Sequence, residues 1–103
     1  MVKRLKLGNL SRSSTLQIKE GSYFRKDVQR MKKRSKSLSG LKTVIELLAG
    51  GKSLPGNYKD HPLAREWVVY RECHVEADFL LIYKIEENIL ILERVGTHSD
   101  LFQ

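Results

Sequence analysis

Chemistry-bearing residues gather in the last half of this 103-residue chain, around His74-Val75-Glu76-Ala77-Asp78. The stretch separates two β-forming runs, Trp67–Cys73 and Phe79–Ile85, and so reads as the mouth of a hairpin. His61 and His98 are the other histidines, and Arg71 stands three residues before His74 on the adjoining strand. Imidazole titrates near neutrality and can take or give a proton, typically contributing about 10²–10⁴-fold to a rate. Asp78 could orient a histidine or hold its charged form. Arg71 offers a planar fork for a phosphate and for charge growing on it. Such a set suits cleavage of an RNA phosphodiester: a base for the 2′-hydroxyl, an arginine for the phosphorane-like state, an acid for the departing 5′-oxygen. Phe102 or Phe79 would stack on an unpaired base.

Hairpin geometry predicts which of these groups meet. Facing residues of an antiparallel pair have numbers that sum to a constant. A turn centred on Glu76 gives about 152 and sets His74 opposite Asp78. A turn centred on Glu87 gives about 174, setting Asp78 opposite Gly96 with His98 just beyond. Three ionisable groups therefore collect at one sheet end. Arg71 has the strand parity of Cys73. His61 lies in a loop that no spacing argument places.

The scaffold reads as strand, helix, helix and three strands. Thr15–Glu20 alternates like a half-buried strand. Ser22 is a candidate cap for a helix with Phe24, Val28 and Met31 on one face. A second helix carries Leu38, Leu41, Ile45 and Leu48 and closes at Gly50-Gly51. Residues 52–66, with Pro55 and Pro62, read as a loop, and strands follow at Trp67–Cys73, Phe79–Ile85 and Ile89–Val95. The predicted fold class is α+β, with the helix hairpin on one face of a mainly antiparallel four-stranded sheet. Residues 1–14 read as a disordered basic extension and 15–103 as one domain.

Net charge is +7, divided as +11 over residues 1–57 and −4 over 58–103. A basic half beside a histidine-bearing acidic half suggests a polyanion held by one part and processed by another, or an acidic protein partner. A solvated basic helix face is the plain alternative. The lone Cys73 forbids an internal disulfide, and no apolar run reaches the roughly 18 residues of a membrane span. With no signal-peptide pattern at the N-terminus, a cytoplasmic location is expected.

Two other readings stand beside the nuclease. His74, Asp78, His98 and Cys73 are metal-ligand types, yet no Cys-x-x-Cys or His-x-x-x-His pair occurs, so no metal and no cofactor are expected. The other reading is a module that binds RNA or a partner without cutting.

Three blocks carry a family resemblance: Tyr58-Lys59-Asp60-His61-Pro62-Leu63; Tyr70-Arg71-Glu72-Cys73-His74-Val75 with Asp78; and Arg94 with Gly96-Thr97-His98-Ser99-Asp100-Leu101-Phe102. Their order and spacing over residues 16–102 resemble the YafQ branch of the RelE-type toxins, ribosome-dependent mRNA endonucleases of bacterial toxin–antitoxin pairs. The resemblance implies a RelE-like fold, metal-independent cleavage of mRNA in the ribosomal A site, and catalytic roles for His61, His74, Asp78, His98 and Phe102. Lys59, Arg71 and Phe79 are the expected substrate contacts. Some members carry Trp where this chain has Phe79, whose smaller ring lacks the indole donor. A cognate antitoxin is the implied partner, typically in a heterotetramer that meets operator DNA only through the antitoxin.

Overall fold

The computed structural model describes residues 15–64 and 69–102. The expected basic extension at 1–14 lies outside them, as do Trp67 and Val68. Strand β1 (Gln17–Glu20) leads into helices α1 (Phe24–Lys33) and α2 (Leu38–Ala49). A two-residue strand β2 (His61–Pro62) is followed by β3 (Arg71–Glu76), β4 (Phe79–Glu86), β5 (Ile89–Gly96) and a short helix α3 (His98–Phe102). The sheet order is β1-β5-β4-β3-β2. β1 runs parallel to β5, and the other pairs are antiparallel. The fold is α+β as predicted, but with a mixed five-stranded sheet and a third helix. A strand as short as β2, ending in proline, carries no alternation to read.

The helix faces follow the sequence pattern. Phe24, Val28 and Met31 of α1 and Leu41, Ile45 and Leu48 of α2 are buried against the sheet. Capping is different from the expectation at Ser22: Tyr23 occupies the α1 N-cap with no side-chain bond. Ser37 caps α2 instead, its hydroxyl accepting from the Gly40 amide at 3.0 Å. At the far end Gly51 adopts φ 74°, the left-handed geometry that ends a helix at little cost only in glycine.

Register separates the sheet into two chemically different faces. Cys73, Phe79, Leu81, Tyr83, Leu90, Leu92 and Val95 join the core under α1 and α2. Leu80 and Ile82 form a second cluster on the opposite face, covered by Leu101 of α3 with Leu63 and Tyr70. Of the predicted Trp67–Cys73 strand, Trp67 and Val68 lie outside the described residues, Val69 is exposed, and β3 runs from Arg71 on through His74 to Glu76. The turn is therefore only Ala77-Asp78, with a bulge between His74 and Glu76. His74 pairs with Leu80, not with Asp78, and Gly96 also pairs with Leu80. These shifts are of two residues, so the predicted faces survive them.

β1 pairs with β5 only up to Leu92, leaving the last part of β5 as an edge. Asp27 of α1, 2% exposed, closes it by accepting from the Val95 amide at 3.1 Å. The same carboxylate accepts from Arg94 Nε at 2.7 Å and Arg30 Nη2 at 2.6 Å. Among the described residues no helix is long and apolar enough to cross a membrane. Removing a buried carboxylate leaves both guanidiniums and the amide without their partner. Asp27→Ala should thus lower stability by about 3 kcal/mol in urea unfolding, with Asp27→Asn intermediate.

Candidate active site on the α3 face of the sheet

Two rows of paired residues lay out the site. His61, Glu72, Ile82 and Arg94 stand opposite one another across β2, β3, β4 and β5. One step along, His74, Leu80 and Gly96 form the next row. Glu72 and His74 are two apart on one strand and so share a face. Beyond the strand ends, Asp78 reaches His98 directly. Its Oδ1 accepts from the His98 amide at 3.0 Å and lies 3.0 Å from the ring Nδ1. Those bonds hold the Asp78 carboxyl below its ordinary pKa, the backbone amide contributing most and the ring next. With Nδ1–H donating to the Asp78 carboxylate, Nε2 is the His98 nitrogen left for proton exchange.

The histidines converge. The His74 and His98 rings are 6.2 Å apart, and the Phe102 ring is 6.1 Å from His98. His61 Nε2 and His74 Nε2 each lie 3.5 Å from Glu72 Oε1. His61, which spacing could not place, is thus brought in by β2. Glu72 is the residue that sequence reasoning missed. It is 5% exposed, and a carboxylate so buried needs positive or hydrogen-bonding partners, here the two imidazoles. Its signal was available, because Glu72 and His74 have the spacing of one strand face.

Helix α3 carries His98 and Phe102, and its five residues are too few to hold a helix alone. Thr97 and Asp100 cap it reciprocally: the Asp100 amide donates to Thr97 Oγ1 at 3.2 Å, and the Thr97 amide to Asp100 Oδ2 at 2.9 Å. Arg34, from the end of α1, donates to Asp100 Oδ2 at 2.8 Å. Gly96 lies close beneath this cap, where a Cβ would meet Asp100 Cβ at 3.0 Å. Leu101 anchors the helix on Leu80 and Ile82.

Three expected substrate contacts fall elsewhere. Arg71 points to the face of Cys73, where it donates to Asp60 at 3.1 Å, and this bond raises its pKa. Tyr83 donates to the same carboxylate. Lys59 is exposed beside Asp60, Arg71 and Tyr83 on a cavity of about 370 Å³ lined partly by α2. Phe79 is fully buried in the helix-side core and presents no ring to a base. Strand alternation separates Arg71 from His74, and the tight turn sends Phe79 inward. Cys73 is also buried on that face, its thiol pushed up to about 12 by burial, so the metal quartet with His74, Asp78 and His98 does not assemble. A different set, His61, Glu72 and His74, has ligand atoms within 4.8 Å of one another.

Residues 16–103 match the family model of YafQ, the bacterial toxin of type II toxin–antitoxin systems. The chain belongs to that family. The mRNA interferase toxin YafQ of Escherichia coli strain B / BL21-DE3 is 45% identical over 86 residues, 82% of this chain and 94% of the relative. The fold matches the crystal structure of the E. coli DinJ–YafQ toxin–antitoxin complex with a TM-score of 0.80 and 42% identity, covering 86% of this chain and 99% of that one. A crystal structure of a metal-bound toxin from Helicobacter pylori matches with a TM-score of 0.79 and 42% identity, over 84% of this chain and 99% of that one.

The α3 anchor has a pH signature. Burial alone would raise the Asp100 carboxyl, but the Thr97 amide, Arg34 and the Thr97 hydroxyl outweigh it and bring it from 3.8 to about 2. A carboxyl depressed on folding contributes stability above its ordinary pKa and loses it as pH falls towards the folded value. Above pH 4, Asp100→Asn should cost roughly 1–2 kcal/mol in urea unfolding. The gap to the wild type should shrink as pH is lowered from 4 towards 2.

Proposed function

We propose that this chain is the toxin of a toxin–antitoxin pair and an mRNA interferase that cuts RNA by proton transfer between histidines. The observation that carries the reading is the convergence of three histidines and two carboxylates at one end of one sheet face. In the step, a base takes the 2′-hydroxyl proton, and the 2′-oxygen bonds to phosphorus as the bond to the 5′-oxygen breaks. An acid gives that oxygen its proton. The products are a 2′,3′-cyclic phosphate and a 5′-hydroxyl. One proton passes through Nε2 of His98, oriented by Asp78, and the other through the histidine pair on Glu72. Phe102, 41% exposed, stacks on a base beside His98. Arg94 is the arginine whose backbone stands in the row of Glu72, with its guanidinium held by Asp27 over the Tyr23 ring.

Cleavage takes place on mRNA in the ribosome and needs no metal. Part of the basic surface is already neutralised, because Arg25, Arg30 and Arg34 pair with Glu20, Asp27 and Asp100. Lys26, Lys32 and Lys33 remain exposed on α1 for ribosomal RNA or an acidic antitoxin segment. The antitoxin is a protein that forms a heterotetramer with this chain and carries any contact with operator DNA. The E. coli relative, found with DinJ, supports that partnership.

Translating ribosomes with mRNA distinguish the enzyme from a binding module on the same fold, since only the enzyme creates new ends. His98→Ala should lower the cleavage rate by about 10²–10⁴-fold and abolish toxicity to growing cells, with antitoxin binding retained. Full toxicity of that variant would defeat the site. Arg71→Ala should leave cleavage largely intact, because its guanidinium serves Asp60 on the other face.

A further inference from the structure

Arg34 to Ser37 link α1 to α2, and each of their backbone amides has an acceptor. The Arg34 amide donates back to the Arg30 and Met31 carbonyls, that of Ser35 to Lys32 and that of Lys36 to Met31. Ser35 adopts φ 59° between them. Bonds of this pattern around one left-handed residue make the Schellman closure of a helix, which leaves the chain little freedom. Ser37 then caps α2 with its hydroxyl, and its amide donates to Glu76 Oε1 at 3.3 Å. The link is a stiff bracket.

This bracket grips both elements that carry the facing histidines. On one side, Arg34 Nη1 donates to Asp100 Oδ2 at 2.8 Å, two residues beyond His98 on α3. On the other, Ser37 holds Glu76, two residues beyond His74 on β3. Helix α2 also starts so close to β3 that a Cβ on Gly40 would meet Val75 Cγ1 at 3.3 Å. Between the two ties, the charge of Lys36 reaches Asp78, whose carboxyl the His98 amide and ring already hold below its ordinary pKa. Two residues turn a helix through about 200°, so Asp100 and His98 leave α3 on opposite sides. Leu101 anchors the helix by apolar contact, which has no direction. The charged hydrogen bond from Arg34 is directional and fixes the rotation of the helix.

We propose that Arg34 is a positioning residue for RNA cleavage: through Asp100 it sets the orientation of α3 and keeps His98 facing His74, their rings 6.2 Å apart. Arg34 itself touches no RNA in this role. The catalytic consequence rests on the acid–base reading above; the geometric one does not. Misplacing a reacting group by about 1 Å can cost on the order of 10²-fold in rate. An exposed ion pair adds little to stability, so loss of Arg34 slows the chemical step far more than it weakens the fold.

Single-turnover cleavage on translating ribosomes, with toxin in excess, tests this on the full chain. Arg34→Ala should lower the saturated rate about 10- to 100-fold, with the half-saturating toxin concentration unchanged within about twofold. Arg34→Lys, which keeps one charged donor for Oδ2, should recover most of the loss. Arg34→Ala combined with Asp100→Asn should be no slower than the slower single variant, because the two residues act as one unit. Losses that multiply in the double variant, or a raised half-saturating concentration at an unchanged saturated rate, would show Arg34 meeting RNA directly and overturn the proposal. Arg34 is exposed, so its variants stay informative if Asp100→Asn impairs folding. Nuclear Overhauser contacts between the His74 and His98 rings, read without any RNA, should be present in the wild type and weakened in Arg34→Ala. Unchanged contacts would overturn the geometric part. No cleavage by the wild type, with those contacts still lost in Arg34→Ala, would instead defeat the nuclease reading and leave the positioning standing.

Discussion

The pairing of Glu72 with Ile82 and of His74 with Leu80 is the constraint on which the site depends. Strand alternation gives β3 two incompatible faces: Cys73 belongs to the apolar core, while Glu72 and His74 need hydrogen bonds and water. A slip of one residue would drive both ionisable side chains under α1 and α2 and expose Cys73 in their place. The core residues Leu81 and Tyr83 on β4 enforce the same choice from the opposite strand. Packing on one face thus fixes chemistry on the other. The short Ala77-Asp78 turn completes the arrangement, because it holds Asp78 where β5 ends and α3 begins.

Helix α3 shows a second kind of dependence. His98 and Phe102 ride on five residues that have no helical stability of their own. Their position is imposed by Thr97 and Asp100, by Leu101 on the sheet, and by Arg34 from the far end of α1. Arg34 reads from the sequence as one charge among many on a basic helix. Its partner makes it a tie between the helix hairpin and the strand-side helix that bears a histidine. A surface ion pair contributes little by itself, but this one joins a capping network whose carboxylate is largely shielded.

The sequence made the helical faces legible because Phe24, Val28, Met31, Leu41, Ile45 and Leu48 repeat with an unambiguous period. It made the meeting of His74, Asp78 and His98 legible through hairpin arithmetic, although the turn proved tighter than its midpoint suggested. Composition suggests a strand that ends at Cys73, and it could not show that β3 runs on from Arg71 to Glu76. Glu72 escaped notice because a glutamate in a strand ordinarily faces water, whereas here it is paired with His61 of β2, a strand that had no periodic signal. Arg71 is the opposite case. Its parity with Cys73 was readable, and that parity alone was enough to remove it from the histidines' face. The Thr97-x-x-Asp100 spacing likewise announced a helix start that the tail's brevity concealed.

The openness of the cluster bears on how such a site could act. His98 and Asp78 side chains are 59% and 56% exposed, and the described cavity lies on the other face with Lys59 and Arg71. An acid and a base on an open surface can move protons, but they do little to align a 2′-oxygen with phosphorus and the departing 5′-oxygen. Alignment of that kind is worth about 7–11 kcal/mol when fully supplied, more than proton transfer by a single side chain contributes. Proton-transfer groups this exposed would therefore work best on RNA already held in a bent conformation by something else. The proposed dependence on the ribosome fits that division of labour: the translating particle orients the strand, and the toxin brings the histidines.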